Sequence, residues 1–375
     1  MDAIRCDLWS TGFPAAPVRH VSDQFFVVTA DRDIRWVLEH PAVFSSVHSV
    51  ACRARGTSPT IAELDGPLHR RRRAVLEPLF HMHVYRSLRP SMRELLSELL
   101  DRVSMQTPPI DLIQAIMVPL STFVLWKLMG IPREEAPVVQ RWVAELTTTH
   151  WPAVQLLERW TMLNGMLTAA IDQRRTMPVK RPKDVISVLV ESACSDHEIR
   201  STLWYVLAMH EATTTLLTNV VYELVRPPRR WDQVCLFPRL IGFAIEEAAR
   251  LHPPMPWLTR TCTEDTMIGG VPIPAGACLA LLLSSANRDP ERWPHPEAFI
   301  FPRREHTHLS FGYGEHFCLG APLAREETAL VLEMLCERFP GLRLAALVRN
   351  DQRPGGMVHR PPSLFVHLTP ADADA

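Results

Sequence analysis

One stretch constrains this chain more than any other: Phe311 to Gly320, which reads Phe-Gly-Tyr-Gly-Glu-His-Phe-Cys-Leu-Gly. It sets a single cysteine, Cys318, in a run of glycines just ahead of an amphipathic pattern that begins near Leu319. A thiol at a helix start lies where unpaired backbone N–H groups and the positive end of the helix dipole favour its anion, the setting a thiolate ligand needs. Gly312, Gly314 and Gly320 permit tight or positive-φ turns and the close approach of a flat ligand. A plainer reading is a glycine-rich turn around an inert cysteine, since free cysteine often behaves as a small hydrophobe. Zinc is a third reading, because His306, His308, His316 and Cys318 are close in sequence. Zinc sites, however, pair their ligands at short spacings, and no second pair occurs here.

The pattern Phe311-x-x-Gly314-x-His316-x-Cys318-x-Gly320 resembles the haem-binding signature of the cytochrome P-450 family, the haem-thiolate monooxygenases, with every position filled. The resemblance implies a mainly α fold with small β-sheets, a single domain over residues 1–375, and haem b (iron protoporphyrin IX) buried between a long central helix and the cysteine-ligand loop. Cys318 would be the axial thiolate, whose electron push favours O–O cleavage, with Phe311, Gly312 and Gly320 against the macrocycle. It also implies electrons from NAD(P)H through a ferredoxin or flavodoxin-type donor, and insertion of oxygen from O2 into a small organic substrate in specialised metabolism.

Composition agrees with that class and removes others. A chain of 375 residues has room for two ordinary domains, although single domains of this size occur. Its 47% hydrophobic content is enough for a sizeable core, and a formal net charge of −1 gives no electrostatic footprint for nucleic acid. The eight cysteines are scattered without a framework of spacings, which fits a reducing cytoplasm. The N-terminus carries charges where a membrane anchor needs an apolar run, and the apolar stretch from Leu112 to Gly130 is interrupted by Gln114, Pro119 and Lys127. A buried core helix, no membrane and a monomer are the expectations.

Gln24 to Thr29 reads as a strand and Asp33 to Glu39 as a short helix stopped by Pro41. From Ser45 to Ala62 the periodicity disappears; in the resembling family this loop contributes to the substrate pocket, making His48, Arg53 and Arg55 candidate contacts. Apolar residues at 68, 75, 76, 79 and 80 then place one face on a helix. His69 and Arg73 are four apart on one side of it, matching the family's His-x-x-x-Arg pattern for binding haem propionates. Arg70, Arg71 and Arg72 would form a basic patch for an acidic electron donor, against the alternative of a merely solvated face. Further helices are expected near 111–128, 134–148, 152–175 and 184–193.

Ser195-Asp-His-Glu198 is a capping box opening a helical pattern that runs to about Val225. Its middle reads His210-Glu211-Ala212-Thr213-Thr214-Thr215, and a carboxylate inside a core helix needs a reason. The resembling family has Ala-Gly-x-(Asp/Glu)-Thr here, which aligns with Ala208, Met209, His210, Glu211 and Ala212. Met209 thus replaces the glycine that leaves room above the iron, and Ala212 replaces the threonine. Glu211 is the expected proton relay. Sliding by one restores a hydroxyl at Thr213 but turns it about 100° around the helix. The ungapped alignment predicts a pocket narrowed by Met209, with a substrate hydroxyl, a carboxylate or a water replacing the alcohol. These departures keep open a haem-thiolate enzyme without ordinary O2 activation (a dehydratase, isomerase or peroxygenase) and a non-catalytic haem-dependent ligand-binding protein.

In the C-terminal half, Glu247 and Arg250 match the family's Glu-x-x-Arg pattern and Arg303 its third, structural member. Arg260 matches a propionate-binding arginine. Trp257, Leu258 and Thr259 precede it where the pocket wall should be, and Met357 and Val358 in a late glycine-rich turn are further pocket candidates. The substrate is expected to be a small molecule, either free or tethered to a carrier protein.

Overall fold

A thirty-residue helix, Asp196–Val225, runs through the computed structural model, and at about 1.5 Å per residue it spans roughly 45 Å. Residues 16–47, 59–131, 138, 153–177, 183–304, 307–345 and 361–368 are described. His48, Arg53, Arg55, His306, Met357, Val358 and nearly all of the helix expected over 134–148 lie outside them.

In chain order, the first half holds β1 (Val18–Ser22), β2 (Phe25–Val28), α1 (Asp31–Glu39), β3 (Phe44–Ser45), α2 (Gly66–Leu76), α3 (Met82–Ser104), β4 (Ile110–Asp111), α4 (Val118–Met129), α5 (Ala153–Thr176) and α6 (Val185–Glu191). The long helix is α7, followed by α8 (Arg229–Leu236), α9 (Ile241–Leu251), β5 (Leu258–Cys262), β6 (Thr266–Ile268), β7 (Val271–Ile273), β8 (Cys278–Leu281) and α10 (Leu283–Ala286). The chain then passes through α11 (Ala321–Arg338), β9 (Arg343–Leu344) and β10 (Phe365–His367). The main sheet has the order β1-β2-β8-β5-β3, with β2 and β8 parallel and β8 and β5 antiparallel.

The ends of α7 serve two different cores. Ile199, Leu203, Leu207 and Ala208 pack with α4, α5 and α6, whereas Leu216 to Val225 pack with α3, α4, α9 and α11. Between these blocks the apolar packing is interrupted over the segment from His210 to Thr215. The capping box at the start is fully made: Ser195 N–H donates to Glu198 Oε2 at 2.8 Å and Glu198 N–H to Ser195 Oγ at 3.4 Å. The cap bonds satisfy part of the helix's N-terminal donor set, and most of the helix's stability comes from burial of its apolar face.

Four local expectations need correction. The 111–128 segment is not one helix: Ile110 and Asp111 pair with Val366 and Phe365, a π-helical turn covers Ile113–Met117, and only then does α4 begin. A strand partner some 250 residues away overrides local helix preference there. Leu68 is 41% exposed and is not part of the buried face of α2. That helix stops at Leu76, where Pro78 forces the 3-10 turn Glu77–Phe80. Lastly, α11 starts at Ala321 with Gly320 as its N-cap, two residues beyond Leu319.

Glu247, Arg250 and Arg303 are all buried. Glu247 accepts from Arg250 at 2.8 Å through both oxygens and from Arg303 at 3.0–3.1 Å. The guanidiniums also donate to the carbonyls of Asn287, Pro294, Pro296 and Ala298. One carboxylate thus fastens α9 to the irregular chain that precedes the cysteine loop. Removing it leaves two buried cations uncompensated, a loss of about 3–5 kcal/mol. Glu247→Ala should therefore lower the urea midpoint with little change in m-value.

Candidate active site

The cysteine loop is closed by its own backbone: Cys318 N–H donates to the Phe311 carbonyl at 2.9 Å and Phe317 N–H to Gly314 at 3.0 Å. Gly312 and Gly314 have φ of +73° and +70°, and a Cβ on Gly314 would fall 2.7 Å from the Leu38 carbonyl oxygen. No side chain fits that position. Gly320, by contrast, has φ of −79°. The nearest atom to a Cβ there would be the Cys318 sulfur at 3.9 Å, so the polypeptide alone leaves it room.

The loop faces a cavity. Cys318 lines it together with Phe311, Gly312, His316 and Gly320, and so do Met209, Ala212, Thr213, Leu258 and Arg260 from across the fold. Burial pushes the Cys318 thiol up, while backbone N–H groups of Gly320 and Ala321 and the charges of Arg325 and Arg73 pull the other way. Phe311 is held from behind: the Arg325 guanidinium lies 4.2 Å above its ring and pairs with Glu246 at 2.6 Å. Burial alone would raise Glu246, but His308 and Arg325 hold it down at about 2.

One rim of the cavity is cationic. His69 and His316 lie with ring centroids 4.0 Å apart, and Arg73 and Arg260 line the same wall. His69 Nδ1 is 2.9 Å from Glu315, and His316 Nε2 is 3.4 Å from Asp65. Burial and the neighbouring His316 push His69 down. Arg260 is also buried; desolvation brings it to about 10, and among the described residues its side chain donates only to the Thr259 carbonyl, at 2.7 Å. Among the described residues Arg73 has no hydrogen-bond or ion-pair partner. A buried guanidinium such as Arg260, beside the half-buried Arg73, calls for an anion when no carboxylate is bonded to it. A flat macrocycle bearing two carboxylates beside one sulfur ligand fits this donor set.

The expected wall residues divide along β5. Leu258 and Arg260 face the cavity, whereas Trp257 and Thr259 do not line it, because successive strand residues point to opposite faces. Trp257 packs instead beside Val27, Ala280 and Leu282. On α7, Tyr205, Val206, Met209, Ala212, Thr213 and Leu216 make one stripe at three- and four-residue spacing. Ala212 and Thr213 flank its midline, so the 100° step between them leaves both facing inward. Glu211 is half-buried and outside the lining. Thr215 and Thr218 return their hydroxyls to the carbonyls of Glu211 and Thr214 at 2.7 and 2.8 Å, while the Thr213 hydroxyl has no partner among the described residues.

The basic patch is smaller than expected. Arg72 is buried and paired with Glu198, leaving Arg70 and Arg71 exposed. Asp65, Glu315 and Glu327 were not singled out by the sequence. For Glu327 a signal existed, an acid on the same helical stripe as Leu323, Ala324, Leu330 and Val331.

A long helix over a sulfur-bearing loop, with a cationic rim, is the architecture of a haem-thiolate protein. The family model for cytochrome P-450 matches residues 240–367. Nocardicin C N-oxygenase of Nocardia uniformis subsp. tsuyamanensis is 31% identical over 94% of this chain and 92% of its own. Erythromycin C-12 hydroxylase of Saccharopolyspora erythraea is 33% identical over 86% and 83%. An EryK mutant solved with erythromycin B superposes with a TM-score of 0.85 at 31% identity, covering 96% and 95% of the two chains. A BioI enzyme solved with a hexadec-9Z-enoic acid ligated acyl carrier protein gives 0.83 at 29%, covering 92% of each. The chain belongs to the cytochrome P-450 family, whose cofactor is haem. It is an oxidoreductase of the monooxygenase class, similar to bacterial hydroxylases and oxygenases. No helix among the described residues is long and apolar enough to cross a membrane.

The rim also sets a pH dependence. Burial would raise Asp65, but bonds from His316, Ser45 and Ser46 hold it at about 2. A carboxyl depressed in the folded state stabilises above its unfolded pKa of about 3.9 and loses that contribution as pH falls. Asp65→Asn should be less stable than wild type at pH 7, with the gap closing between about pH 5 and pH 2 in denaturation curves.

Proposed function

We propose that the chain binds haem in this cavity with Cys318 as the iron ligand, and uses electrons from NAD(P)H to insert one atom of O2 into a small apolar substrate of specialised metabolism. The observation that carries this reading is Cys318 opening into a cavity whose rim presents Arg73 and Arg260 without bonded carboxylates. Arg73, Arg260, His69 and His316 would hold the propionates. Phe311, Gly312 and Gly320 would lie against the ring. When bound, the haem supplies the one-electron and O2 chemistry. The protein supplies position, dryness and protons.

The proton part falls to two neighbours on α7. Thr213 offers a free hydroxyl inside the cavity, in place of the threonine missing at Ala212, and Glu211 stands behind the wall where solvent reaches it. Met209, Leu216 and Leu258 line the cavity with apolar side chains, which suits a compact hydrocarbon skeleton. Met209 and Ala212 also support a second reading, a peroxide-using or redox-neutral haem-thiolate enzyme. Steady NADH consumption with a reconstituted ferredoxin system and an oxygenated product favours the first reading; turnover without reductant favours the second. Assays with free and carrier-tethered substrates separate the two delivery modes.

Thr213→Val should lower product formed per NADH consumed while leaving substrate-induced spectral shifts intact, and Glu211→Gln should slow turnover. Ala212→Thr should leave the ratio near wild type, since a hydroxyl is already present one residue on. An unchanged ratio in Thr213→Val removes that residue from proton delivery.

The exposed pair Arg70 and Arg71 is the proposed footing for the acidic electron donor. Charge reversal at both should raise the apparent KM for a ferredoxin roughly tenfold at low salt, and the difference should shrink at high ionic strength.

A further inference from the structure

One acid of the cavity has no role in the account above. Glu327 stands on α11, nine residues beyond Cys318, and is 2% exposed while lining the same cavity. Ser121 of α4 donates to its Oε1 at 2.6 Å, the one hydrogen bond of its side chain among the described residues. No cation faces it. The ion pairs between α11 and its neighbours use other groups: Arg89 and Arg93 of α3 pair with Glu333 and Glu337, Glu246 of α9 with Arg325, and Asp101 of α3 with Arg338, while Lys127 of α4 lies over the Phe123 ring. Tyr85 of α3 donates to the Glu326 carbonyl, and Cys235 of α8 lies beside Cys336. The other titratable groups of the cavity are Tyr205 and His210 on α7, Cys318, and His69, Arg73, Arg260 and His316 at the rim.

A carboxylate buried with a single hydroxyl partner carries an uncompensated charge, and such groups neutralise by binding a proton. Burial raises Glu327 to about 7, with Ser121 pulling it down. Its charge therefore responds to changes in nearby charge within the physiological pH range.

We propose that Glu327 is the charge-compensating acid of the haem site: when the iron held at Cys318 accepts one electron, the Glu327 carboxylate takes one proton from solvent. The inference rests on the haem reading of the cavity. One electron from the redox partner reduces ferric to ferrous iron, and one proton converts carboxylate to carboxylic acid, so the net charge of the buried site is unchanged. Ser121 is a positioning residue that sets the pH at which this coupling begins. A proton bound on reduction makes the midpoint potential fall as pH rises.

The test is spectroelectrochemical titration of the haem-loaded protein across pH 5.5 to 9, about 1.5 to 2 units either side of the neutral region where a raised carboxyl titrates. Wild type should show a potential that falls with rising pH. Glu327→Gln should flatten that slope with the carbon-monoxide band unaltered. Ser121→Ala removes a bond to the charged form, and the onset of the slope should move to higher pH. The reduced-minus-oxidised infrared difference spectrum of wild type should gain a protonated carboxyl stretch, which reads the same event should Glu327→Gln fail to fold. A slope unchanged in Glu327→Gln, or no carboxyl band in wild type, overturns the proposal while leaving the haem assignment intact. Absence of the thiolate carbon-monoxide band in wild type would instead overturn the haem reading.

Discussion

The organising constraint is an uncompensated charge around a gap between two hydrophobic cores. The two ends of α7 are secured by separate apolar clusters, and the cavity opens where that packing stops. Into it the chain puts groups that burial alone disfavours: a thiol pushed up by desolvation, a guanidinium brought to about 10, and a carboxyl raised to about 7. None of these is economical in an apolar interior. Each becomes reasonable beside a bound metal cation and a pair of ring carboxylates, because a coordinating ion reverses the local preference of a thiol.

Two successive carboxylates on α9 keep the cysteine loop in place. Glu247 ties the helix to the chain before the loop through Arg250 and Arg303, and Glu246 holds Arg325 above Phe311. The loop that carries Cys318 is therefore clamped on its N-terminal side by one acid and through α11 by the other. A ligand sulfur needs this rigidity, since a displacement of about 1 Å is enough to spoil a reacting geometry.

The residues whose patterns are local were the legible ones. Ser195 and Glu198 fixed the start of α7, and the run ended at Val225 as expected. The Phe311 to Gly320 signature led to the cavity, and the Glu247–Arg250–Arg303 network is joined as its motif implied. What escaped were features decided by distant partners. Ile110 and Asp111 became a strand because β10 arrives beside them; Arg72 turned inward because Glu198 lies there; Trp257 and Thr259 left the wall because strand alternation gave it to Leu258 and Arg260. Ala212 and Thr213 are alternative alignments of one family position, and a 100° step separates them on the helix. The stripe on α7 is wide enough to admit both.

The central claim is a bond from the sulfur of Cys318 to haem iron, and the carbon-monoxide spectrum of the reduced protein tests it most directly. The account predicts a red-coloured protein whose complex shows the red-shifted absorption of thiolate-ligated haem. A colourless protein after growth with ample haem precursor, or a complex lacking that band, would contradict it.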